Sequence, residues 1–192
     1  MNHLTMVTEI EFLRQKMAEQ AMMFTAKQKS LLLVLEAFRW VGVQEIGGNN
    51  SGQIVEMFQA DAGIHKGDAW CMAFVQNCIS SVDRTCSILG HNATALMPSG
   101  AHCMTVWEKT QDILKSQTPK TGSVVIWHRK ETSSGHTGIV VDTTENGLFQ
   151  TIEGNTSPSE GVQRDGDGVF KKTHNMTPTG TMELVGFINP WG

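Results

Sequence analysis

Apolar positions recur at three- and four-residue steps through the first half of the chain and give way to two-residue alternation in the second half. From Thr8 to Phe24, Ile10, Leu13, Met17, Ala21 and Phe24 form one helical stripe. Thr25-Ala-Lys-Gln28 has the form of a capping box, so the pattern predicts a second helix from about 26 to 42 that stops before GGNNSG. QIVEMFQADAG predicts a short third helix ending at Gly63. A fourth starts near Cys71, with Phe74, Val75, Cys78, Ile79 and Val82 as its buried stripe. A fifth runs from an N-cap at Ser99 to Leu114.

Beyond that point the segments are short, rich in Val, Ile and Phe, and separated by turn residues: SVVIWH at 123–128, TGIVVD at 137–142, LFQTIE at 148–153, GVFKK at about 168–172 and LVGFIN at 184–189. Helices first and strands second predict an α+β fold, N-terminal helices against an antiparallel sheet of about five strands. The expected organisation is a helical extension over residues 1–28 and one domain over 29–192. The extension's methionine-rich stripe suits either a docking or dimerising arm or a helix packed on its own domain.

Composition narrows the function classes. The chain has 192 residues, 40% hydrophobic and 18% charged, the balance of a folded domain rather than of a disordered one. A net charge of -4, with no dense cluster of Lys and Arg, argues against nucleic acid as a partner. Charges at Glu9, Glu11, Arg14, Lys16 and Glu19 interrupt any signal-peptide core. The most apolar run, LLLVLEAF, is too short for a membrane span. Cysteines at 71, 78, 86 and 103 lack the spacing of a zinc site and are expected as thiols, with a Cys78–Cys86 disulfide as the alternative in an exported protein. Asp165-Gly-Asp-Gly168 resembles the start of a calcium loop, but Met176 stands where the bidentate glutamate belongs, so a turn is expected and neither metal nor cofactor is.

The candidate chemistry lies where the two halves meet. Asn146-Gly147 suits a two-residue hairpin turn, which pairs Glu145 with Leu148, Val140 with Glu153 and Gly138 with Asn155. Alternation then puts His136 on one face with Glu153 and Asn155. In this register Asn155 is the diagonal neighbour of His136, and Glu153 reaches it only through a bulge or twist. A cysteine nucleophile needs a histidine to take its proton and a third group to orient the ring. Cys71, at the start of a helix, sits where amide dipoles favour a thiolate. A buried core thiol is the competing view of Cys71, as a structural imidazole is of His136.

DAWCMAFV, PKTGSVVIW, GHTGIVV and TIEGNT, in this order, resemble the signatures of the CHAP family, cysteine, histidine-dependent amidohydrolases and peptidases that cut peptidoglycan. The similarity extends over roughly 31–192. It implies a papain-like fold, Cys71 as nucleophile, His136 as base, Glu153 as the group orienting His136, and Asn155 as a fourth polar member. Whether Glu153 or Asn155 directly holds His136 stays open. Trp70 and Trp127 are candidates for walls of the substrate cleft or for core packing, and His128 for the cleft or for the surface.

The implied partner is peptidoglycan. Family members without a signal peptide are phage lysins released by a holin or effectors injected by a secretion machine, the latter with an immunity protein. The alternatives are an intracellular cysteine peptidase or acyltransferase acting on proteins, and an idle peptidoglycan-binding module.

Overall fold

The computed structural model describes residues 24–89, 94–144, 147–159, 161–162, 166–178 and 180–192. The expected N-terminal stripe lies almost wholly outside them. Helix α1 (Ala26–Phe38) opens on the predicted capping box: Gln28 N donates to Thr25 Oγ1 at 3.2 Å, and Thr25 N to Gln28 Oε1 at 2.9 Å. It ends four residues before the predicted 42, because the chain turns to pair with a distant strand: Gly42 N donates to Val169 O and Glu45 N to Asp167 O. Helices α2 (Gln53–Asp61) and α3 (Cys71–Ile88) follow.

The predicted helix over 99–114 is shorter. Helix α4 (Cys103–Lys109) starts from His102, whose side chain accepts from Thr105 N, rather than from Ser99. It breaks where Thr110 turns extended, and a single 3-10 turn, Asp112–Leu114, continues the path.

Six strands form one antiparallel sheet, one more than expected: β1 (Lys115–Ser116), β2 (Val124–Arg129), β3 (Gly135–Thr143), β4 (Leu148–Thr156), β5 (Gly168–Asn175) and β6 (Met182–Ile188), in the order β1-β6-β2-β3-β4-β5. The additional strand, β1, has two residues, too few to show an alternation. The fold is α+β, as predicted.

One sheet face is covered by helices. Leu33 and Ala37 of α1, Phe58 of α2, and Phe74, Val75 and Cys78 of α3 pack with Ile126, Ile139, Ile152 and Val169. The other face holds Val125, Trp127, Val140, Phe149 and Phe187. The ring of Trp127 on β2 lies 4.8 Å from that of His174 on β5, and Phe149 on β4 lies 5.3 Å from Phe187 on β6. Strands three places apart in a flat sheet would stand about 14 Å apart. The sheet is therefore curled, and its inner face closes over its own side chains.

The β3–β4 hairpin corrects the predicted register. Ile139 pairs with Ile152 and Val140 with Thr151, two residues from the expected Val140–Glu153 pairing. Thr144 N donates to Leu148 O, so three residues rather than two connect the strands, and a bulge between Val140 and Asp142 takes up the remaining step. A shift of two preserves the faces, because side chains alternate with period two.

Candidate active site

Cys71 is the first residue of α3. The first-turn amides of a helix have no partner within it and favour negative charge, and the backbone of Met72 helps to hold the Cys71 thiol low. Cys103, the first residue of α4, brings its own sulfur to 3.9 Å. The thiol of Cys103 is the largest influence holding Cys71 well below its ordinary value; burial opposes it and His136 adds to it. Cys103 is pushed well above, by its bond to Cys71 and by burial. Burial also raises Cys78 and Cys86. All four cysteines are free thiols, so the alternative Cys78–Cys86 bridge is not formed. Of the four, Cys71 is the one the structure sets to ionise.

His136, near the start of β3, is wholly buried, and its Nε2 lies 2.9 Å from Glu153 Oε2. Its Nδ1 makes no hydrogen bond. With Nε2 committed to Glu153, Nδ1 is the nitrogen left for the sulfur of Cys71, with which the ring interacts. Burial pushes the imidazole down, but the influence of Cys71 and the bond to Glu153 outweigh it and raise it to about 9. Burial likewise pushes Glu153 up, and the bonds from His136 and His174 overcome this and hold it well below the usual carboxylate range. An ionised carboxylate accepts only, so His136 Nε2 is the donor. These shifts favour a thiolate at Cys71 beside a protonated His136, the pairing that covalent amide hydrolysis requires.

Asn155 ends the same strand differently. Its φ of +54° departs from the strand and turns the side chain away from His136. With the amide oxygen facing Trp70 N at 3.1 Å, the nitrogen meets Asn50 Oδ1 at 3.2 Å and Gly166 O at 3.0 Å. Asn155 thus ties β4 to the residue that precedes Cys71. Between the two polar residues, Gly154 lets the strand lie against the helix start: a Cβ there would sit 2.7 Å from Phe74 Cβ and 2.8 Å from the Trp70 ring. The Glu-Gly-Asn order therefore serves three directions, one side chain to the imidazole, none to the helix, one to the backbone of Trp70.

Residues 63–155 match a family model described as the CHAP domain, an interval that opens before Cys71 and closes on Asn155. Over this interval the chain is similar to the CHAP domain. Neither the curated proteins nor the solved structures provide a match. CHAP domains are cysteine, histidine-dependent amidohydrolases and peptidases, and the matched interval holds Cys71, His136, Glu153 and Asn155. The similarity noted in the sequence over 31–192 is broader than the interval matched.

Within this site, Glu153 is the residue in contact with His136, which answers the question the hairpin left open. Trp70 is wholly buried, with its Nε1 donating to Glu45 Oε1 at 2.9 Å. Trp127 is wholly buried too, its ring 5.8 Å from that of His136. His128 lies on the neighbouring stretch of β2 and bonds Glu183 Oε1 at 2.9 Å and Thr132 O at 2.7 Å. Asp165 falls outside the described residues, and among those described no group of three or more His, Cys, Asp or Glu is arranged to hold a metal.

Three contacts of the site were not anticipated. Cys103 stands beside the Cys71 sulfur, and Thr151 Oγ1 and His174 Nε2 each lie 2.5 Å from Glu153 Oε1. The alternation Lys172, His174 in β5 was the available signal for His174, but the predicted strand stopped at 172, three residues before the observed end at Asn175.

Proposed function

We propose that this chain hydrolyses an amide bond in the peptide stem or cross-link of peptidoglycan, with Cys71 as nucleophile and His136 as its acid–base partner. The observation that carries the reading is the chain of contacts from the lowered thiol of Cys71 through His136 to the buried carboxylate of Glu153. The thiolate attacks the scissile carbonyl carbon, and the first-turn amides at Cys71 and Met72 hold the developing oxyanion. His136 passes its proton to the leaving nitrogen, then takes one from the water that hydrolyses the thioester. Glu153 keeps the ring oriented, and Asn155 fixes the helix start by its bond to Trp70 N.

Peptidoglycan as substrate rests on the CHAP family, and delivery as a phage lysin or as an injected effector is the route this reading favours. No described helix is long and apolar enough to cross a membrane. The test is digestion of purified sacculi by the wild type and by Cys71→Ala, with the soluble products identified by mass spectrometry. Release of muropeptides by the wild type alone is the expected result, and the new ends separate amidase from endopeptidase cleavage. A folded wild type that releases nothing from several wall types, with and without reductant, would overturn the peptidoglycan assignment.

A further inference from the structure

Glu153 is bound on both of its oxygens, and the two sides differ. Among the described residues Oε2 meets His136, whereas Oε1 takes Thr151 Oγ1 and His174 Nε2, each at 2.5 Å. His174 is buried, and its ring is set against Trp127 at 4.8 Å and Phe149 at 5.7 Å. The same Trp127 ring stacks on His136 at 5.8 Å and 23°. One indole therefore packs against both imidazoles, and both imidazoles close on one carboxylate. His174 comes from β5, the direct neighbour of β4, where it stands opposite Phe149, four residues along the strand from Glu153.

We propose that His174 is a positioning residue of this site: it anchors Glu153 Oε1, so that Oε2 stays aimed at His136. The proposal rests on the cysteine–histidine reading above and adds a fourth side chain to the line Cys71, His136, Glu153. A carboxylate with one oxygen free would rotate about its last torsion, which is broad for a glutamate. Two donors on Oε1 remove that freedom. Because the ionised carboxylate accepts, Nε2 of His174 is the donor in this bond.

The groups facing the carboxylate are His136 from β3, Thr151 from β4 and His174 from β5, with the ammonium of Lys172, also on β5, acting on Glu153 through space. Loss of the His174 bond leaves Thr151 as the sole donor to Oε1. Glu153 then holds His136 less firmly, the imidazolium is less favoured, and the Cys71 thiolate forms only at higher pH.

The test compares wild type, His174→Phe, His174→Gln and Thr151→Val, following alkylation of Cys71 by iodoacetamide against pH with peptide mapping by mass spectrometry. Phenylalanine keeps a ring between Trp127 and Phe149 but has no donor; glutamine keeps a donor. The expected result for His174→Phe is a midpoint raised by about one pH unit, with His174→Gln returning most of the way and Thr151→Val shifting in the same direction. An unmoved midpoint in a folded His174→Phe overturns the proposal. If that variant does not fold, an unmoved midpoint in both His174→Gln and Thr151→Val overturns it, since neither weakening of the anchor then reaches the thiol. A wild-type midpoint at the ordinary thiol value of about 8.5 would instead count against the cysteine–histidine reading itself.

Discussion

Gly138 of β3 lies directly against Glu153 of β4: a Cβ on Gly138 would stand 2.5 Å from Glu153 Cγ and 3.1 Å from Ile152 O. The absence of a side chain at this one position is what allows the carboxylate to lie across β3 and reach His136.

Gly138→Ala is therefore expected to displace Glu153 before it disturbs the fold. The crowding should cost about 1–3 kcal/mol of stability, as overpacking usually does. Hydrolytic activity should fall by about tenfold or more, since the orienting group acts only at its proper distance. Thermal melting and hydrolysis of sacculi, measured side by side, check this; a variant that melts lower but hydrolyses at the wild-type rate would disprove it.

The pH dependence of activity follows from the two members of the ion pair. Cys71 is held low, mainly by Cys103 against the cost of burial and with help from His136. His136 stands at about 9, the influence of Cys71 and the bond to Glu153 having overcome burial. The thiolate–imidazolium pair is thus populated between the two. Activity should fall as the pH rises through about 9, where the imidazolium loses its proton, and fall again in acid as the thiolate gains one. A rate-against-pH profile of the wild type checks both limbs.

Stability should carry an opposite pair of limits. The raised His136 contributes stabilisation that is fully present below its ordinary 6.5 and is lost as the pH rises through about 9. The depressed Glu153 contributes stabilisation that is present above its ordinary 4.5 and is lost as the pH falls toward its folded value. Denaturant midpoints are expected to be highest between about 4.5 and 6.5 for these two groups. A series at fixed ionic strength checks it, and replacing Glu153 with Gln should flatten the acid side.

Cys103 acts on the sulfur rather than on the ring. Cys103→Ala should raise the pH at which Cys71 alkylates, because the largest lowering influence is removed. Cys103→Ser, which retains a donor of similar reach, should shift it less. The opposite order, with serine the more damaging, would mean that packing rather than hydrogen bonding sets the effect.

Asn155→Ala should loosen the helix start. It leaves Trp70 N, Asn50 Oδ1 and Gly166 O without the amide that meets all three, a loss of about 1–3 kcal/mol for buried groups left unpaired. Replacement by Gly suits the φ of +54° better than Ala but restores none of these bonds. Melting temperatures of the two variants should therefore both lie below wild type, with the glycine variant no lower than the alanine one.

Much of this arrangement was legible in the chain itself, for identifiable physical reasons. The Thr25–Gln28 box is a local signal and opened α1 where expected. Period-two alternation put His136 and Glu153 on one face, and survived a register error because the error was two residues. What failed depended on distant contacts. Asn155 was expected beside His136, but a single positive φ turned it toward Trp70, and no alternation rule contains such a turn. His174 meets the site through the β4–β5 pairing, beyond the end of the predicted strand, and Cys103 through the approach of two helix starts, which no spacing along the chain records.

Trp127 gives this protein an optical readout of its own chemistry. Its indole lies within 6 Å of two imidazoles, 4.8 Å from His174 and 5.8 Å from His136. A protonated imidazole close to an indole quenches its fluorescence by drawing electron density from the excited state. The emission of Trp127, isolated by subtracting the spectrum of Trp127→Phe, should brighten as His136 loses its proton. The same ring that walls the two histidines would thus report, without label or substrate, the moment at which the ion pair is discharged.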